Sequence, residues 1–114
     1  MRRLLLLLLL LLGGCSKGPQ ADLQYISEAR SCAAEWALVN QEAAQGKLTH
    51  IYVDAMRKSL RQQIAIAKGA LTVPDSAYAR EMAALLATPP DAAPAQLRSH
   101  VDRLKQIEDG LESA

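Results

Sequence analysis

The sequence predicts an all-α protein: a cleaved N-terminal leader, then a small helical bundle made of an antiparallel hairpin and two shorter helices. Three observations predict it. Beyond residue 21, apolar residues recur at three- and four-residue spacing, and no run shows the alternation a strand needs. The chain is rich in alanine, with Trp36, three tyrosines and no phenylalanine; alanine favours helix and lets helices approach closely. Helix starts and stops, Thr49, Thr72, Thr88 and Gly46 among them, punctuate the periodic stretches.

The leader comes first. Arg2 and Arg3 precede an unbroken leucine run over 4–12, which is followed by Gly13, Gly14 and Cys15. Nine helical residues rise only ~14 Å, under half of the ~30 Å hydrocarbon core. The run is too short to span a membrane. A basic start, a short apolar run and a small-residue exit predict a secretory signal peptide over 1–14.

Leu12, Gly13, Gly14 and Cys15 resemble the lipobox of bacterial lipoproteins: an aliphatic residue, two small residues, then cysteine. The resemblance implies that the Cys15 thiol receives a diacylglyceryl group, that cleavage falls just before it, and that the new amine is acylated with a fatty acid such as palmitate. Two or more acyl chains hold stably, where one does not. Ser16 follows. In the enteric lipoprotein pattern a non-acidic residue there implies sorting to the outer membrane, with the domain facing the periplasm.

Removing 1–14 leaves 100 residues, one domain with a modest core. The thirteen basic residues lose Arg2 and Arg3, so eleven face twelve acids. A near-neutral domain with no basic tail excludes nucleic acid as a natural partner. With Cys15 lipidated, Cys32 has no partner in its own chain. Two readings stay open for it: a buried inert thiol, or a disulfide between two copies in a homodimer.

Residues 15–21 form the lipidated Cys and a short linker, and 22–114 the helical domain. Asp22 is expected to cap a first helix over about 22–45, with Gly46 as its left-handed stop. Tyr25, Ala29, Cys32, Trp36, Val39 and Ala43 make a heptad seam. Thr49 caps a second helix over 49–71, where Leu48 packs on Val53. Its stripe is Val53, Met56, Leu60, Ile64, Ala67 and Leu71, nearer a 3.6 period. Seams of 3.5 and 3.6 residues lose register over many turns, which favours a short bundle over a long coiled coil.

Glu28, Glu35 and Glu42 flank the first seam, and Arg57, Arg61 and Lys68 flank the second. An antiparallel hairpin turning at 46–48 predicts that Glu35 faces Arg61 and Glu28 faces Lys68. The stretches 72–79 and 88–95 share a Thr-x-Pro-Asp start. They predict a third helix over 75–87, carrying Tyr78, Met82, Leu85 and Leu86. A fourth over 94–112 carries Leu97, Val101, Leu104, Ile107 and Leu111, with Pro94 delaying its start.

No catalytic constellation emerges. Cys32 sits mid-seam, far from His50 and His100, which read as surface or partner-face residues. Neither histidine has companions at metal-ligand spacing. Trp36 reads as core. No catalytic residue, metal ligand or cofactor is expected beyond the lipid on Cys15.

The functional expectation is a non-enzymatic docking or scaffold module, held to the outer membrane by its lipid and binding an envelope protein. In size, anchor and helix count it is similar to the small helical pilot lipoproteins of secretion systems. Those commonly carry an internal disulfide, for which this mature chain lacks the cysteines. Two alternatives are a lipoprotein that holds a ligand or lipid between alanine-rich helices, and a thiol enzyme or hydrolase.

Overall fold

The computed structural model describes residues 17–114. The signal peptide expected over 1–14 and the lipid expected on Cys15 fall outside the described residues. The described chain is all-helical: α1 Pro19–Ala44, α2 His50–Gly69, α3 Ala77–Leu86 and α4 Pro94–Glu112. No helix among the described residues is long and apolar enough to cross a membrane.

Helix α1 is the axis of the bundle. It packs against α2 on one side and α4 on the other, and α3 bridges all three, while α2 and α4 do not touch. This explains why α1 buries more than its heptad seam. Ala29, Cys32, Trp36 and Val39 of the seam are buried, with Cys32 meeting Gln63 of α2. A second set, Ile26, Ala33 and Ala37, is also buried. A helix enclosed on three sides needs an apolar arc wider than one seam. Leu60 and Ile64 of α2, Tyr78, Met82 and Leu85 of α3, and Leu97 and Leu104 of α4 complete the core.

The helix ends follow local chemistry with three departures. Helix α1 begins at Pro19, after Gly18 at φ 115°, so Asp22 lies inside the first turn and caps nothing on its own helix. Thr72 does not start α3. Ser76 caps it instead, its Oγ accepting from the Ala79 amide at 3.1 Å, because Thr72 is committed to Asp22. Thr88 closes α3 rather than opening α4, donating to the Leu85 carbonyl at 2.6 Å. Pro94 occupies the first turn of α4, where a missing N–H breaks no helical bond.

At the α1 end, the Gly46 amide reaches the Ala43 carbonyl and the Lys47 amide reaches that of Glu42. With Gly46 at φ 70°, this is the Schellman arrangement. Thr49 caps α2 through the Tyr52 amide at 3.3 Å.

The hairpin pairs residues near the expected register, since Asn40 meets Arg57 as Cys32 meets Gln63. The expected Glu35–Arg61 and Glu28–Lys68 ion pairs are absent among the described residues. Arg61 turns inward instead. Its guanidinium carbon lies 5.6 Å from the Trp36 ring centre, and Nη2 donates to the Leu86 carbonyl at 3.2 Å. A partly buried carbonyl and an aromatic face hold it better than an exposed carboxylate. Other ion pairs lock the bundle. Arg30 grips both oxygens of Glu108 at 2.9 and 3.3 Å, joining α1 to α4. Glu81 takes His100 at 2.6 Å and Arg103 at 2.8 Å, joining α3 to α4.

Candidate functional site

The two ends of the bundle differ in kind. One end is closed by a polar knot. The Asp22 carboxylate is fully buried. Its Oδ1 accepts from the Thr72 amide at 2.8 Å and the Thr72 hydroxyl at 2.9 Å. Its Oδ2 accepts from the Val73 amide at 3.1 Å and the Tyr78 hydroxyl at 2.7 Å. Burial pushes the carboxyl pKa up, but the hydrogen bonds from Thr72, Tyr78 and Val73 outweigh it and hold the carboxyl below its ordinary 3.8. Tyr78 is driven the other way, to about 12, by burial and by its bond to Asp22. The Gly18 amide donates to Thr72 Oγ1 at 2.9 Å, so the chain leading into α1 is tied to this end.

The other end lies beyond the C-terminal half of α1. A 26-residue helix is ~39 Å long, which sets the separation of the two ends. Here the α3–α4 loop is pinned across α1. Trp36 Nε1 donates to the Pro90 carbonyl at 2.8 Å. Asn40, also buried, gives its two amide hydrogens to the carbonyls of Pro90 at 3.0 Å and Ala92 at 2.8 Å. Its Oδ1 accepts from Arg57 Nε at 2.7 Å. One asparagine thereby joins α1, α2 and the loop, with both amide hydrogens and its oxygen engaged.

Of the concavities at this end, Leu48 lines two. The larger, about 660 Å³, lies between the α1–α2 turn and the loop. The smaller, about 230 Å³, opens on the outer face between α1 and α2. Leu38, Val39, Leu48, Tyr52 and Met56 line it, with Glu35 and Glu42 at its edge. Leu38 is 52 % exposed and Tyr52 49 %. Large apolar side chains gathered this way, rimmed by charge, mark interaction surfaces more often than scattered ones do.

The residues singled out from the sequence do not converge. Cys15 lies outside the described residues. Cys32 is buried, its Sγ 3.3 Å from the Gln63 amide oxygen rather than beside a base. Burial, then the Glu28 and Glu35 carboxylates, push its thiol pKa up, away from the reactive thiolate. Trp36 is in the core. His50 is exposed at the start of α2 on the wall of the larger cleft. His100 departs from expectation: it is buried against Glu81, because α3 folds back over α4. Among the described residues no three metal-ligating side chains gather closely enough to hold a metal ion.

Asn40 is the residue that sequence reasoning missed, and Asp22, expected as a helix cap, serves instead as the buried acceptor of the knot. A signal existed for each: a polar residue at a position where the helix pattern is buried. Compared with family models, curated proteins and solved structures, the chain matches none.

Proposed function

We propose that this chain is a lipid-anchored, non-enzymatic docking module, fixed through Cys15 to the periplasmic side of the outer membrane. Its α1–α2 groove then takes a basic amphipathic helix of an envelope protein. The anchor rests on the Leu12, Gly13, Gly14, Cys15 motif. The observation that carries the docking reading is the groove itself: Leu38, Leu48, Tyr52 and Met56, at least partly exposed over the buried Val39, with Glu35 and Glu42 beside them.

Glu35 and Glu42 stand seven residues apart and so line one edge of α1. Glu35 has no ion-pair partner among the described residues, and Glu42 holds only an exposed Lys47 at 3.7 Å. A helix that lays an apolar stripe in the groove, with Lys or Arg at heptad spacing along one flank, satisfies both features.

Orientation supports the same reading. Helix α1 starts at Pro19, so three residues separate it from Cys15, a reach of about 10 Å. The Asp22 end then sits near the bilayer, and the groove lies about 24–35 Å further along α1.

A photo-crosslinking residue at position 38 or 52 in intact cells tests the proposal. The expected result is one discrete adduct, mapped to a basic amphipathic helix. No adduct is expected from position 105 on α4. Adducts mapping to an acidic segment, or equal labelling from all three positions, would overturn it.

A further inference from the structure

The larger cleft carries chemistry that the docking groove lacks, and this inference does not rest on the docking reading. Its volume of about 660 Å³ falls within the ~300–1,000 Å³ range of small-molecule sites. Ala43, Leu48, Val53 and Ala92 give it apolar walls, and Arg57 lines it as its one strong cation.

Arg57 is held in a fixed orientation. Its Nε donates to Oδ1 of Asn40 at 2.7 Å. Asn40 is 4 % exposed, and both its amide hydrogens are committed to the loop carbonyls of Pro90 and Ala92. Its oxygen therefore has one orientation, towards Arg57. That contact uses a single nitrogen of the guanidinium. The two terminal nitrogens find no acceptor among the described residues. A guanidinium held by Nε, with its outer fork unpaired among the described residues and its side chain on a cleft wall, can recognise a carboxylate through two parallel hydrogen bonds.

Two helix ends add positive potential. His50, the first residue of α2, and Pro94, the first of α4, both line the cleft, so the positive ends of two helices border it. Asp91 lies on the same wall and disfavours a second anionic group. The fitting ligand has one carboxylate on a small uncharged body.

We propose that this cleft binds such a monocarboxylate. Arg57 takes the carboxylate, Asn40 positions Arg57, and Ala43, Leu48, Val53 and Ala92 receive the apolar body. A free short-chain acid and the C-terminal residue of a peptide share this chemistry.

Three probes separate them: butyrate, N-acetyl-trialanine, and N-acetyl-trialanine amide. Each is titrated into the ¹⁵N-labelled full chain in lipid nanodiscs. Saturable shifts of the Val53, Ala92 and Ala93 amides are expected with at least one acid and not with the amide. Saturation by butyrate alone assigns a free acid, and by the peptide acid a chain terminus. Arg57→Gln is expected to weaken binding at least tenfold, and Arg57→Lys to weaken it less. Equal binding of acid and amide, no saturation by either acid, or full binding by a folded Arg57→Gln protein would overturn the proposal. The wild-type comparison decides even if that variant fails to fold.

Discussion

Arg57 of α2 and Asn40 of α1 are joined by a 2.7 Å hydrogen bond that also fixes the loop between α3 and α4. The asparagine is directional: its oxygen accepts from Arg57, and its nitrogen donates to the Pro90 and Ala92 carbonyls. Asn40→Asp keeps the size and reverses the nitrogen side, setting a carboxylate oxygen against the Pro90 and Ala92 carbonyls. It is expected to cost about 2–3 kcal/mol. Urea denaturation reads this as a lower midpoint at unchanged slope. A midpoint equal to wild type would show that the loop is not held through Asn40.

The Asp22 knot gives the bundle sensitivity at both extremes of pH. The Asp22 pKa is lower folded than unfolded, so its contribution is complete above 3.8. It is lost as pH falls from there through the depressed folded value. The Tyr78 pKa is raised to about 12, so its contribution is complete below 10 and lost as pH climbs through 12. Asp22→Asn is expected to cost on the order of 3 kcal/mol near neutral pH, because it sets an amide nitrogen among donors. It should also flatten the acid limb of the stability profile. A variant whose acid limb matches wild type would remove Asp22 as its cause.

Cys32 is expected to react slowly. Its thiol is buried, and burial with the Glu28 and Glu35 carboxylates disfavours thiolate. Labelling by a thiol reagent in native buffer should be at least tenfold slower than in urea. Equal rates, or a disulfide-linked dimer isolated from cells under thiol-blocking conditions, would contradict the buried position.

Cys15→Ser is expected to abolish labelling by a radioactive fatty acid and to leave the leader uncleaved by the lipoprotein route. Unchanged labelling would refute the anchor.

Much of the bundle was legible because helix periodicity and capping are local. Thr49 caps α2 and Gly46 ends α1 as their residue types dictate. The charge rows misled. Glu35 and Arg61 have complementary spacing, but α3 supplies a carbonyl and α1 an aromatic ring that sequence spacing does not reveal. Asp22 and Thr72 misled for a related reason. Each is a good cap by local rule, yet they bond each other across fifty residues. The second buried face of α1, through Ala33 and Ala37, was hidden because alanine is equally at home in a core and on a surface. The groove could be seen only once Leu38 and Tyr52, on different helices, were placed side by side.

The central claim is that the α1–α2 groove docks a basic helix. Glu35 is exposed and unpaired among the described residues, and Glu42 holds only a weak surface pair. Reversing both is expected to change stability by under about 1 kcal/mol. The most direct measurement is the yield of the in-cell crosslink from position 52, compared between wild type and the Glu35→Lys, Glu42→Lys double variant at matched protein levels. The account predicts a loss of tenfold or more, with the thermal midpoint little changed. An undiminished yield in the folded double variant would contradict it.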